Sequence, residues 1–110
     1  MTLTIQDHRI GDFQVIEVVG DIDIETAGDL RAHFLEHLVD PAARVVLDLS
    51  GVGFMDSSGL GALVSGWQVV RDEGEIRIAG ANPAVQRVLS ITGMEDVFAT
   101  FASVDEAVAA

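Results

Sequence analysis

Apolar positions along the chain change their period several times, and each change marks an element. Leu3 to Ile5 and Phe13 to Val19 carry short β-branched runs separated by Gly11-Asp12, the pattern of two closely paired strands. After Gly20 the repeat lengthens: Ala27, Leu30, Phe34 and Leu38 fall on one face at helical spacing, leaving Asp29, Arg31 and Glu36 for water. This predicts an amphipathic helix that stops near Asp40-Pro41, because proline disfavours helix in the residue before it. Val45-Val46-Leu47-Asp48-Leu49 then reads as a buried strand. From Gly59 onward, Leu60, Leu63, Val64, Trp67 and Val70 predict a second helix, closing at Asp72-Glu73-Gly74 with the glycine as its cap. Trp67 lies in the apolar stripe and reads as core or groove wall. Ile76 to Ala79 is a short strand. Asn82-Pro83 places a good N-cap before a proline at the first helical position, and Val85, Val88 and Leu89 carry a third helix to Thr92-Gly93. Val97 to Phe101 predicts a last strand, and Ser103-Val104-Asp105-Glu106 has the Ser-x-x-Glu spacing of a capping box before a final short helix.

The order β-β-α-β-α-β-α-β-α implies crossover connections, hence a single α/β domain over residues 1–110. Its expected sheet is mixed and mostly parallel, with about five strands and about four helices. Charge narrows the function. Six basic residues, all arginine and all dispersed, stand against 18 acidic ones, so the net charge is 6 − 18 = −12. A phosphate-binding face needs a basic stripe, so nucleic-acid binding is not expected. Acidic positions such as Asp7, Asp12, Glu95 and Asp96 read as solvated surface. With no cysteine there are no disulfides, thiolate metal sites or thiol nucleophiles. The N-terminal segment lacks a basic region and no apolar run approaches a membrane span. A cytoplasmic monomer without membrane attachment and without a cofactor is expected.

One stretch departs from ordinary punctuation between elements: Asp48-Leu49-Ser50-Gly51-Val52-Gly53-Phe54-Met55-Asp56-Ser57-Ser58-Gly59-Leu60-Gly61. It joins a buried strand to a helix start, where backbone amides lack helical partners and the dipole favours negative charge by about 0.3–1 kcal/mol. A serine there either caps the helix or carries a phosphate without destroying it; residue types and spacing alone leave both open.

Asp56-Ser57-Ser58-Gly59-Leu60-Gly61, preceded by Leu47-Asp48-Leu49 and Phe54-Met55, resembles the phosphorylation-site signature of bacterial anti-sigma factor antagonists (anti-anti-sigma factors), the STAS-domain proteins. The resemblance spans nearly the whole chain: Gly20-Asp21-Ile22-Asp23 with Thr26 is similar to the family's first β-to-α junction, and Asn82-Pro83, Thr92-Gly93-Met94, Phe98 and Glu106-Ala107 to its C-terminal half. Met94 and Arg71 depart from it, standing where leucine and lysine are common. The resemblance implies that Ser57 is the phosphoacceptor and Ser58 its neighbouring hydroxyl. It implies a partner surface drawn from Asp21, Asp23, Asp56, Ser57, Ser58, Gly59 and Leu60. It further implies partner switching: the unphosphorylated form binds an anti-sigma factor serine kinase of the GHKL ATPase type and frees the sigma factor. Phosphorylation weakens that complex, and a PP2C-like phosphatase reverses it. The chain would be a substrate of both enzymes and not itself a catalyst. The alternative within the same fold is a non-catalytic STAS scaffold or ligand-sensing module in a regulatory complex.

Three rival chemistries fare worse. Gly59 and Gly61 invite a phosphate-loop reading, but the Gly-Lys-Ser/Thr core is missing and the chain has no lysine; the glycines instead permit close backbone approach. Neither Ser57 nor Ser58 has glycine two residues before it, as a nucleophile elbow requires. His33-Phe34-Leu35-Glu36-His37 satisfies His-x-x-Glu-His, a zinc-protease pattern. Both histidines flank the first helix's apolar stripe and no third ligand can be assigned, so they read as surface residues.

Overall fold

The computed structural model describes residues 2–110. Its strands are β1 (Thr4–Ile10), β2 (Phe13–Val19), β3 (Arg44–Gly51), β4 (Glu75–Ala79) and β5 (Ala99–Phe101). Its helices are α1 (Ala27–His37), α2 (Ser57–Val70), α3 (Pro83–Ile91) and α4 (Val104–Ala109), with a 3₁₀ turn at Met94–Asp96. The sheet runs β1-β2-β3-β4-β5, with β1 antiparallel to β2 and every later neighbour parallel. The fold is the α/β layer architecture the alternating periods predict.

Each parallel strand is added on the same side of the last, so right-handed crossovers carry the connecting helices to one face. The larger core lies on that face, where Ile16, Val18, Leu47, Leu49, Ile76 and Ile78 of the strands meet Leu30 and Phe34 of α1, Leu63 of α2 and Leu89 of α3. Alternate strand residues point the other way, and Phe13, Val15, Val46 and Ala79 pack there against Ala107 of α4.

On that second face Glu75 accepts from Arg77 Nε at 2.7 Å and from Arg44 Nε at 3.1 Å. Both guanidiniums lie over the Phe13 ring, 4.9 and 4.3 Å from its centroid, and Arg77 Nη1 donates to the carbonyls of Ala107 and Ala110. Burial alone would raise the Glu75 pKa, but hydrogen bonds and charge from Arg77 and Arg44 outweigh it and hold the carboxyl below its ordinary value.

Three boundaries differ from the sequence expectation. Helix α2 begins at Ser57 rather than Gly59, because Asp56 supplies the cap. Gly74 is not a left-handed cap; a Cβ there would sit 2.2 Å from the Ala43 carbonyl oxygen, so glycine is needed for close passage of the chain into β4. The last strand is short because Val97 and Phe98 stay in the preceding turn, their amides donating to the Met94 carbonyl at 3.0 and 2.9 Å. Phe98 fills the core from that turn. At α4, Ser103 Oγ accepts from the Glu106 amide as expected, while the Glu106 carboxylate accepts from Ala102 rather than from Ser103 itself.

Candidate functional site

The loop from β3 to α2 is set from both ends. Val52 and Met55 are buried and anchor it, while Gly53 and Phe54 between them stay exposed. Asp56 has extended backbone geometry and its Oδ1 accepts from the amides of Ser58 at 2.8 Å and Gly59 at 3.2 Å. These two amides are therefore already paired, contrary to the open helix start expected from sequence, and a carboxylate already sits at the positive end of α2. Ser57, the first helical residue, is exposed, and its hydroxyl makes no hydrogen bond among the described residues. Ser58 is half-buried.

The loop from β2 to α1 lies alongside. Ile22 and Met55 form an isolated parallel bridge, with the Ile22 amide donating to the Phe54 carbonyl at 2.9 Å and the Asp56 amide donating to the Ile22 carbonyl at 3.2 Å. The bridge sets Asp21 beside Phe54 and Asp23 beside Asp56. Gly59 makes this approach possible, since a Cβ there would fall 2.7 Å from the Ile22 carbonyl oxygen and 2.6 Å from Met55 Cγ. The glycine reading from sequence holds at this position.

Asp23 also has local work. Its Oδ1 accepts from the amides of Glu25 at 2.9 Å and Thr26 at 3.2 Å, and its own amide donates to Thr26 Oγ1 at 3.0 Å. The Thr26 hydroxyl, fully buried, donates to the Asp21 carbonyl at 2.6 Å. Asp23 thus closes the turn into α1, and Asp21, Asp23, Asp56, Ser57 and Ser58 meet at one edge. Gly59 and Leu60 are buried and lie beneath that edge instead of on it.

Sequence reasoning missed three features of this edge. Asn82 does more than cap α3: while its Oδ1 accepts from the Val85 amide at 2.9 Å, its Nδ2 donates to the carbonyls of Val52 at 3.2 Å and Gly53 at 3.1 Å. It thereby ties a third loop to the Ser57 loop. Ile24 and Phe54 are 81% and 48% exposed and put apolar surface on the two bridged loops. Their signal in the sequence is a large apolar residue inside a loop, outside either period. Arg31 brings a cation near: a Cβ on Gly61 would lie 3.4 Å from its Nη2, one helical turn along from Ser57.

Over the middle of β1 the structure gives the two histidines a neighbour that the sequence did not assign. Asp7 of β1 brings Oδ1 to 2.5 Å from His33 Nε2, and one ligand atom from each of Asp7, His33 and His37 lies within 4.8 Å of the other two. A third group with an oxygen available as a ligand therefore stands beside the histidines, and Asp7 is not simply solvated surface. Among the described residues no helix is long and apolar enough to cross a membrane.

Comparison with known proteins agrees with this geometry. The STAS domain model matches residues 4–107. The anti-sigma-B factor antagonist of Staphylococcus aureus is 28% identical over 98 residues, which is 88% of this chain and 91% of that protein. The anti-sigma F factor antagonist of Paenibacillus polymyxa is 28% identical over 96 residues, covering 86% and 82%. The crystal structure of an anti-sigma factor antagonist from Mycobacterium paratuberculosis superposes with a TM-score of 0.87 at 27% identity, covering 97% of this chain and 92% of that one. With the family model matched over all five strands and the Asp56-Ser57 helix start formed as a capped, exposed turn, this chain belongs to the STAS domain family.

Proposed function

We propose that this chain is an anti-sigma factor antagonist switched by phosphorylation of Ser57. The observation that carries the reading is the exposed Ser57 hydroxyl, unbonded among the described residues, at the capped first position of α2, beside the Asp56 carboxylate and the bridged Asp21-Ile22-Asp23 loop. In the unphosphorylated form this edge docks an anti-sigma factor that is also a GHKL-type serine kinase, and the sigma factor is released. Asp21, Asp23, Asp56, Ser57 and Ser58 face the partner, with Gly59 and Leu60 supporting them from beneath. The exposed Ile24 and Phe54 supply apolar contact area.

Phosphorylation adds about −1.5 to −2 charges at pH 7, directly beside a carboxylate that already occupies the helix end. The Ser58 and Gly59 amides at the start of α2 are held by Asp56, so the phosphate remains on the docking surface. A loss of about 2–3 kcal/mol in binding changes the dissociation constant about 30- to 150-fold, enough for a switch. A PP2C-like phosphatase restores the hydroxyl. The chain acts in the cytoplasm as a monomer, as substrate and not as catalyst, and the polar edge strand β1 with Gln6, Asp7, His8 and Arg9 discourages strand pairing between copies.

Intact-mass and peptide-mass analysis after incubation with ATP and candidate GHKL kinases tests this. One phosphate on Ser57 with one kinase is expected, with Ser57→Ala still binding that kinase but gaining no phosphate. Binding without phosphate on any residue overturns the switch in favour of a scaffold; phosphate on Ser57→Ala moves the site to Ser58.

A further inference from the structure

His33 and His37 lie four residues apart on α1, hence on one helix face, and their rings stack with centroids 4.2 Å apart and an interplanar angle of 28°. Asp7 pairs with Ile16 across β1 and β2, and Ile16 belongs to the core under the long helices, so Asp7 points to the α1 side of the edge strand. Gln14 holds it there: Nε2 donates to Asp7 Oδ2 at 3.1 Å and to the His37 carbonyl at 3.3 Å. The side chains of Asp7, His33 and His37 are 23%, 14% and 44% exposed, so the cluster is organised yet open to solvent. It sits over the middle of β1, where Asp7 faces Ile16, and reaches toward the start of β2 through Gln14.

We infer that Asp7, His33 and His37 form a binding site for a divalent transition-metal ion of the Zn²⁺ class, clipping the edge strand to α1. Two imidazole nitrogens with one carboxylate oxygen suit Zn²⁺, Ni²⁺ and Cu²⁺, whereas Ca²⁺ and Mg²⁺ take oxygen sets. Zinc bonds of about 2.0–2.2 Å require ligand atoms closer than the 4.8 Å spread. His37, the most exposed of the three, closes that gap by side-chain rotation. The Asp7–His33 hydrogen bond gives way to two metal bonds, and His33 exchanges its Nε2 proton through water for one on Nδ1, so that it binds as a neutral imidazole. Gln14 stays on the second Asp7 oxygen and orients the carboxylate from outside the coordination shell. The remaining coordination positions face water, and Glu36 adds negative charge beside the site, its Oε2 3.9 Å from His37 Nε2. The site joins two elements and stands independently of the reading of Ser57.

The test is calorimetric titration of the chelator-treated full chain with ZnCl2, together with its thermal unfolding with and without the ion. One zinc per chain and a raised midpoint are expected, since a ligand bound only by the folded state stabilises it. His33→Ala, His37→Ala and Asp7→Asn each weaken binding by about tenfold or more, and each is checked for folding by its metal-free melt. Asp7→Asn, at a surface strand position, keeps the test valid if a histidine variant fails to fold. His8→Ala, at the only other histidine, binds as the parent chain does. No zinc bound at molar excess, or binding undiminished in all three ligand variants, overturns the site.

Discussion

Ile22 is clasped to Met55 on both sides, its amide bonded to the residue before Met55 and its carbonyl to the residue after. Two loops that would otherwise move separately thereby become one surface. The acidic residues of the first loop are held in fixed register with the serine of the second.

Gly59→Ala is expected to break that register. The added methyl meets a backbone carbonyl 2.7 Å away that cannot rotate aside, and overpacking of this kind costs about 1–3 kcal/mol. Urea unfolding of the variant checks the magnitude, and binding to the cognate kinase is expected to fall even where the protein stays folded.

Ser57→Asp is expected to leave stability within about 0.5 kcal/mol of the parent chain. The exposed side chain breaks no bond, and attraction to the helix N-terminus is offset by repulsion from Asp56. Thermal melts measure this. A midpoint drop of many degrees would mean that charge at Ser57 acts on the fold and not on docking.

Asn82→Ser and Asn82→Ala separate two roles of one side chain. Serine retains an acceptor for the Val85 amide, so alanine is expected to be less stable by about 1 kcal/mol. Both lose the donors to Val52 and Gly53, so hydrogen exchange around Phe54 is expected to quicken equally in the two.

Glu75→Gln addresses acid stability. A carboxyl whose folded pKa is depressed contributes stability that is fully present above its unfolded pKa and lost as pH falls through the folded one. The parent chain is therefore expected to exceed the variant in stability at neutral pH, and the difference is expected to shrink as the solution is acidified below the ordinary carboxylate range. Denaturant titrations at about pH 7 and about pH 3 measure the two gaps.

Local signals carried far in this sequence. Period changes located all five strands and four helices, and Asn82 and Ser103 announced helix starts through residue type alone, whereas α2 starts two residues before the expected Gly59 because Asp56 caps it. What stayed hidden depends on partners distant in the chain. Asp7 meets His33 only because the β1–β2 register turns odd-numbered β1 residues toward α1, and no motif records a register. The second role of Asn82 requires knowing that the β4–α3 loop passes the β3–α2 loop. The role of Gly74 is equally nonlocal, for its constraint is the Ala43 carbonyl. Phe98 sits in a turn whose helical bonds outweigh the strand-like composition around it.

Because strand order in space repeats strand order in the chain, no strand must later be inserted between two already paired. Each β-α unit can add to the open edge left by the one before, which keeps most strand closures short-range and favours rapid folding. On a ribosome, where N-terminal segments emerge first, the residues whose hydrogen bonds join the loops around Ser57 are all made by Asn82. All of those residues are therefore made before the last strand and α4.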